Sequence, residues 1–262
     1  MGDFYEMFGE DAEEASRILN IALTSRAHGK GADRIPLAGV PYHSAEKYIN
    51  ALLKAGKKVV VCDQVEDSRF AKGLVKREVV EIVTPGTSIS GDENQNGGSL
   101  AALHFSGEIV GMAVIDFTSG NFLVEEIPFE SVKDRIDSLA PAEILISDDP
   151  DKNDQFHLSD KGNNCITEIE SFRFGLENAR RKLLDYYEVQ SLDGFGLEDL
   201  GDGICAAGAA LSYLQETKQD RIKHLSPPGR ALRGGEMFLD SATVRNLELV
   251  KTSIPGRGKS LS

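Results

Sequence analysis

The triplet Phe4-Tyr5-Glu6 has the residue types and spacing best suited to recognition chemistry in this chain. In an extended segment side chains alternate between faces, so Phe4 and Glu6 project together while Tyr5 points to the other side. An exposed ring can enter a base step as a wedge and unstack it, and a polar neighbour can then test the edge of the base. Alternatively, Phe4 and Phe8 are core residues that flank a tight turn at Gly2-Asp3.

The segments after the triplet predict a compact α/β domain. A first amphipathic helix is expected at residues 10–23, with acidic residues in its first turn. A second helix is expected to begin with Ser44 as its cap and to end at Gly56. Apolar runs at residues 59–64 and 79–84 then predict two strands.

A polar, glycine-rich run at residues 88–99 predicts a linker, with a domain boundary near residue 90. Beyond it, the alternation of apolar and polar residues predicts an antiparallel three-stranded meander, then a helix, a strand and two further helices. This order is typical of a ribonuclease H-like α/β domain. The predicted strands lie at residues 101–105, 110–117, 121–126 and 143–147, and the last two helices at 172–187 and 197–216.

The composition is ordinary for a globular protein, with 40% hydrophobic and 27% charged residues in a chain of 262. The length is sufficient for two domains. No apolar run reaches the roughly 18 residues that a membrane span needs. The three cysteines, Cys62, Cys165 and Cys205, lie far apart and predict neither a disulfide framework nor a zinc site, so a cytoplasmic, reduced protein is expected.

The charge is unevenly distributed along the chain, whose formal net charge is −13. Residues 1–88 hold 12 basic and 13 acidic residues, whereas residues 89–262 hold 17 and 29. Because phosphate neutralisation supplies most non-specific affinity for nucleic acid, only the nearly neutral first part is expected to meet DNA, and weakly by itself. The acidic second part is expected to face protein or solvent.

Several segments, in this order and at this spacing, resemble the MutS family of DNA mismatch-repair proteins. The resemblance begins at the triplet Phe4-Tyr5-Glu6 and extends over nearly the whole chain. Any one segment is weak evidence, but the ordered set is highly specific. The further segments are Leu23–Arg26, Ile35–His43, Val83–Thr87, Val114–Gly120, Leu192–Gly196, Cys205–Gly208 and Phe238–Glu248.

The resemblance implies an α/β fold in three parts. A mixed-sheet mismatch-recognition domain, with its first strand truncated, is expected at residues 1–88, and a linker at 89–98. A ribonuclease H-like connector domain is expected at residues 99–225. Residues 230–262 correspond to the truncated start of the helical core domain of the family, so the chain is interpreted as part of a larger protein.

The resemblance also implies roles for individual residues. The residue at Phe4 stacks on a mispaired or unpaired base, and the residue at Glu6 hydrogen-bonds to that base. An ionised carboxylate has no donor, so a bond to a purine N7 requires a proton on Glu6, which nearby phosphate charge and partial desolvation favour. Further DNA contacts are expected from the segments near the wedge, at Met1, Arg26, Leu37 and His43.

No catalysis, metal site or cofactor is expected in this part of the protein. The family resemblance implies that ATP and Mg²⁺ bind to a full-length protein, through an ATPase domain outside this chain. The implied partners are mismatched duplex DNA, the rest of the MutS chain and its dimer partner, with a MutL-type repair protein docking at the connector domain. A cytoplasmic, nucleoid-associated location is expected, without membrane contact.

Two alternatives remain open from the sequence. Asp116 lies at the end of a predicted strand, where a ribonuclease H-like nuclease keeps a metal-binding carboxylate, and Glu143 is its one plausible partner. Two-metal cleavage needs several acids that converge on ions about 4 Å apart. The other alternative is that the whole chain is an acidic protein-interaction module.

Overall fold

The computed structural model describes residues 4–27, 34–65, 75–88, 98–149, 165–218 and 222–231. The first domain combines a three-stranded antiparallel sheet, in the order β1-β3-β2, with a separate hairpin, β4-β5. Two helices, α1 and α2, accompany these sheets. The elements are β1 (Phe4–Phe8), α1 (Gly9–Leu19), β2 (Thr24–Ala27), β3 (Arg34–Pro41), α2 (Ala45–Lys54), β4 (Val59–Gln64) and β5 (Arg77–Val83).

Helix α1 packs on β3 and covers one face of the three-stranded sheet. Its small residues Ala12 and Ala15 are buried, as are Ala38 and Val40 of β3. The helix is shorter than predicted because Asn20 takes a left-handed conformation, with φ of 52°, and ends it after Leu19. Alanine side chains allow the helix to lie close to the sheet, so α1 buries Ala38 and Val40 on this face.

The start of α2 differs from the prediction. Ser44 makes no capping hydrogen bond to the helix. Its hydroxyl oxygen lies 3.4 Å from the carbonyl oxygen of Pro41, to which it donates, because a short 3-10 turn at Tyr42–Ser44 leads into the helix. The predicted end is confirmed, since Gly56 adopts a φ of +73° directly after the last turn.

The second domain is built on a six-stranded sheet in the order β10-β9-β6-β7-β8-β11. The meander β6-β7-β8 is antiparallel, whereas β9 runs parallel to both β6 and β10. The elements are β6 (Ser99–Ser106), β7 (Ile109–Asp116), β8 (Asn121–Pro128), α3 (Val132–Leu139), β9 (Glu143–Ser147), β10 (Cys165–Ile169), α4 (Leu176–Tyr187), α5 (Gly201–Lys218) and β11 (Gly229–Arg230).

The fold class and the meander are confirmed, and two details differ from the sequence prediction. The sequence predicts a mixed sheet for the first domain, but the pairings described there are all antiparallel and the mixed sheet belongs to the second domain. Strands β10 and β11 are not predicted from the sequence. Most of the predicted linker at 89–98 and of the helical segment at 230–262 lies outside the described residues.

Helix α5 packs unusually close to its neighbours because small residues line it. A side-chain carbon on Gly208 would lie 2.3 Å from Cα of Ala179 in α4, and one on Gly111 of β7 would lie 2.0 Å from the carbonyl oxygen of Asp202. Helices α4 and α5 cover one face of the large sheet, and α3 contributes Val132 and Ile136 to the core on the other. In the described ranges no helix is long and apolar enough to cross a membrane.

The two domains meet around the carboxylate of Glu143, which is fully buried at the start of β9. Its Oε1 accepts hydrogen bonds from the hydroxyls of Thr167 at 2.6 Å and Tyr213 at 2.7 Å. Its Oε2 accepts the backbone N–H of Gly86 at 3.1 Å, and Nζ of Lys58 lies 3.8 Å from Oε1. Burial, followed by the nearby charge of Glu143, raises the pKa of Tyr213. Residues of both domains therefore share one acceptor.

Replacing Glu143 by alanine should loosen this junction, because buried donors at Gly86, Thr167 and Tyr213 would lose their acceptor. We expect a loss of stability on the order of 3 kcal/mol and faster hydrogen exchange at the Gly86 amide. Thermal unfolding and amide exchange measure the two effects. Glu168→Ala, on an exposed position of β10, is the matched control. Equal behaviour of the two variants would show that the junction does not depend on Glu143.

Candidate nucleic-acid interface

The strand register of the first sheet places several side chains on one face. Glu6 pairs with Gly39, and Phe8 pairs with Leu37, which in turn pairs with Thr24. Directly opposed residues of antiparallel strands project to the same side, and so do residues two apart on one strand. Phe4, Glu6 and Leu37 therefore share a face with Arg26, whose partner on β3 is Ile35. We call this surface the wedge face.

The wedge face is open to solvent, whereas the opposite face is sealed by α1. Phe4 is 59% exposed and Phe8 is 51% exposed. Neither ring is a core residue, so the alternative interpretation of these two phenylalanines is wrong. A contiguous group of large, exposed apolar side chains on one face of a sheet is typical of an interaction surface.

Glu6 and Arg26 are the charged pair of the wedge face. Nη1 of Arg26 lies 3.9 Å from Oε2 of Glu6, and the two side chains are 60% and 44% exposed, in that order. An ion pair this long and this exposed contributes little to stability. The arginine can therefore exchange its carboxylate for another anion at small cost.

The remaining predicted contact residues lie at different places around this face. Leu37 is half-buried near the centre of β3, between Phe8 and Thr24. His43 is exposed in the 3-10 turn that follows Pro41, the pairing partner of Phe4. Met1 lies outside the described residues. The geometry thus brings Leu37 and Arg26 onto one surface with Phe4 and Glu6, and puts His43 at its edge.

The glycine opposite Glu6 leaves the middle of the wedge face without a side chain. A side-chain carbon on Gly39 would lie 3.6 Å from Cδ1 of Phe4, so the phenyl ring stands beside this bare stretch of β3. The sequence alone does not identify Gly39 as part of the wedge face. Gly39 lies between Pro36 and Pro41, a composition that marks the segment as unusual, but only the strand register shows that Gly39 faces Glu6.

Tyr5, between the two wedge residues, is anchored on the sealed side of the sheet. Its hydroxyl donates a hydrogen bond of 2.9 Å to Oδ1 of Asp63 on β4, and its ring centroid lies 5.5 Å from that of Tyr42. Loss of solvent, followed by the hydrogen bond to Asp63, raises the pKa of Tyr5 to about 12. The strand alternation predicts that Tyr5 points away from Phe4 and Glu6, but not what it meets there.

The structure gives structural roles to the two acids that the nuclease alternative names. Oδ1 of Asp116 accepts the backbone N–H groups of Thr118 at 2.9 Å and Ser119 at 3.2 Å, so this carboxylate organises a turn. Glu143 is buried in the domain junction. Within the described part of the chain, no group of three or more His, Cys, Asp or Glu side chains could hold a metal ion.

Comparison with known proteins matches both domains. The family model for MutS domain I matches residues 1–92, and that for MutS domain II matches residues 98–226. The chain belongs to the MutS family. The exposed wedge face lies in its domain I, and the Glu143 junction joins domain I to domain II.

Individual relatives agree with this assignment. The chain is 42% identical to the DNA mismatch repair protein MutS of Chlorobaculum parvum, over 98% of this chain and 30% of that protein. It is 40% identical to the MutS protein of Bacteroides fragilis and 41% identical to that of Bacteroides thetaiotaomicron, in each case over 99% of this chain and 30% of the relative. The chain thus spans about 30% of the length of these MutS relatives.

The raised pKa of Tyr5 predicts a change of stability at alkaline pH. The ordinary value is 10.0 and the folded value about 12, so the folded chain holds this proton more tightly than the unfolded chain does. The contribution is therefore complete below pH 10 and is lost as the pH rises to about 12. Denaturant unfolding on both sides of this window should show a shallower decline for Tyr5→Phe than for the unaltered chain. Parallel declines would contradict this assignment, because the other tyrosines are the same in both proteins.

Proposed function

We propose that this chain recognises mispaired or unpaired bases in duplex DNA, as the N-terminal part of a MutS-type mismatch-repair protein. Phe4 acts as the stacking wedge, and Glu6 hydrogen-bonds to the base that Phe4 displaces. The observation that carries the proposal is the 59% exposure of Phe4 on the same sheet face as Glu6, while α1 seals the opposite face. Membership of the MutS family supports it.

The energetics favour discrimination between mispaired and matched sites through the cost of unstacking the DNA. Stacking of a base on an aromatic ring contributes about 1–3 kcal/mol. Unstacking and unpairing a base costs a few kcal/mol, and the cost is lowest for a base that is already badly paired. The stacking free energy therefore exceeds the cost of unstacking only at a badly paired base. Specificity then does not need a base-specific contact at every position.

The charges of the wedge face fit the same role. Arg26 lies 3.9 Å from Glu6 in an exposed pair, so it can turn to a phosphate when DNA arrives. Glu6 is then left for the base, and a hydrogen bond to a purine N7 requires that Glu6 carry a proton. Leu37 and His43 lie on and beside this face, where they can line the minor groove.

The acidic second domain serves as a connector in this proposal. It joins the recognition domain through Glu143, and the excess of 29 acidic over 17 basic residues in residues 89–262 disfavours contact with DNA. Its partners are the rest of the MutS chain, the dimer partner and a MutL-type repair protein. ATP and Mg²⁺ bind to the ATPase domain of the full-length protein, and this part performs no catalysis of its own.

Substitution of Phe4 and of Glu6 by alanine in the full-length protein should impair recognition in different ways. Phe4→Ala removes the stacking, so affinity for a single-base-insertion duplex should fall by about 5- to 150-fold, toward that for matched DNA. Glu6→Ala removes one hydrogen bond but also a repulsion from phosphate, so matched-DNA affinity should hold or rise while discrimination drops. Titrations with both duplexes measure these effects.

Two controls define the outcome of this experiment. Phe172→Ala removes a ring that is 63% exposed in the second domain, and it should leave discrimination unchanged. Melting temperatures should be nearly the same for Phe4→Ala and the unaltered protein, because loss of an exposed ring leaves no cavity. A Phe4→Ala protein that melts several degrees lower yet still discriminates would refute the proposal.

The isolated chain should bind DNA poorly. Residues 1–88 are nearly neutral and offer few phosphate contacts, and the chain spans only about 30% of the length of its MutS relatives. We expect little binding to matched or insertion-containing duplexes at physiological salt, and a rise in affinity as the salt is lowered. Titrations over a series of salt concentrations measure both. Tight binding that is insensitive to salt would show that the affinity resides in these two domains.

A further inference from the structure

We infer that Tyr5 is a positioning residue for the wedge: its hydroxyl, held by Asp63, fixes β1 from the side opposite the DNA. The inference rests on the proposed function, because it concerns how Phe4 and Glu6 are held in place. It adds a second pair of residues, neither of which faces the base, to the recognition apparatus.

The first observation is that Tyr5 connects two different sheets. Tyr5 belongs to the three-stranded sheet, whereas Asp63 belongs to the β4-β5 hairpin. The hydroxyl of Tyr5 lies 2.9 Å from Oδ1 of Asp63, a well-formed hydrogen bond to a carboxylate. The two residues are 58 positions apart in sequence, so the contact depends on the tertiary fold.

The second observation is that the strand which carries the wedge lies at a sheet edge. In the described residues β1 pairs with β3 alone, and its other edge has no strand beside it. Insertion of a ring into a base step exerts a force on the strand that carries the ring. An edge strand is held against displacement by hydrogen bonds on one side only. An anchor on Tyr5, the residue between Phe4 and Glu6, acts at the point where the resistance is needed.

The third observation is that the anchor itself is fixed. Strand β4 pairs with β5 along its length, and Glu81 of β5 forms an ion pair of 2.9 Å with Nζ of Lys218 in α5. The Lys218 side chain is only 5% exposed. Directly after β5, Gly86 donates its N–H to the buried Glu143. The hairpin that holds Asp63 is therefore tied to the second domain at two points.

The test compares variants of the full-length protein by one ratio, the affinity for a single-base-insertion duplex divided by that for the matched duplex. Tyr5→Phe keeps the ring and removes the hydroxyl, and Asp63→Ala removes the acceptor. Each should lower the ratio by about 3- to 10-fold, the range expected for loss of one part-buried hydrogen bond of ordinary strength. The double variant should lower it no further than either single one.

Two controls separate positioning from general stability. Asp63→Asn keeps an acceptor oxygen and should restore the ratio to within about 2-fold of the unaltered protein. Tyr187→Phe removes a tyrosine hydroxyl that donates to the carbonyl of Ser226 at 2.8 Å in the second domain, and it should leave the ratio unchanged. Melting temperatures of all variants show how much of each effect is structural.

The outcomes are distinguishable from failure of the proposed function. If Phe4→Ala abolishes discrimination while Tyr5→Phe and Asp63→Ala retain it, the positioning inference is wrong and the proposed function stands. A ratio that falls equally in Tyr187→Phe, or that Asp63→Asn fails to restore, would also overturn the inference. If Phe4→Ala itself leaves the ratio unchanged, the proposed function is wrong and the inference falls with it.

Discussion

The arrangement of the two domains depends on the hydrogen bonds that the buried carboxylate of Glu143 accepts. A carboxylate out of water is costly unless donors surround it, and here the donors come from both sides of the junction. Gly86 belongs to the segment that leaves the first domain, whereas Thr167 and Tyr213 belong to the second. Separating the domains would remove the hydrogen bond from Gly86 to the buried carboxylate. Because this loss is unfavourable, the junction opposes movement of one domain relative to the other.

This junction helps to hold in place the small sheet that carries the wedge face. The first domain divides its roles between the two faces of one small sheet, with alanines packed under α1 on one side and phenyl rings in solvent on the other. The strands of this sheet have only five, four and eight residues. Its support comes from α1, from the hairpin through Tyr5 and Asp63, and from the second domain through Lys218 and Glu143.

The strand period is enough to predict from sequence that Phe4 and Glu6 share a face, because it depends only on alternation along β1. The position of Arg26 relative to Glu6 follows from the family resemblance and not from the residues themselves, since a slip of one residue in register would move every side chain on β3 to the other face. The contact of Tyr5 with Asp63 could not be derived, because the two are far apart in sequence.

Ser44 has the residue type of a helix cap, but the preceding turn redirects its hydroxyl to Pro41. Strand β10 is short and carries polar residues such as Thr167, which is buried only because Glu143 accepts its hydrogen bond.

The alternation of Phe4, Glu6 and Phe8 on the exposed side of an edge strand has a further consequence for solubility. Two exposed phenyl rings on a strand whose second edge has no partner among the described residues are the kind of surface that recruits a second copy of the same strand. The carboxylate of Glu6 stands between the rings and interrupts this apolar row, so two copies of β1 that approached each other would bring like charges together. In the proposed function Glu6 contacts the base, and in the free protein the same carboxylate opposes association of two copies of the chain through β1.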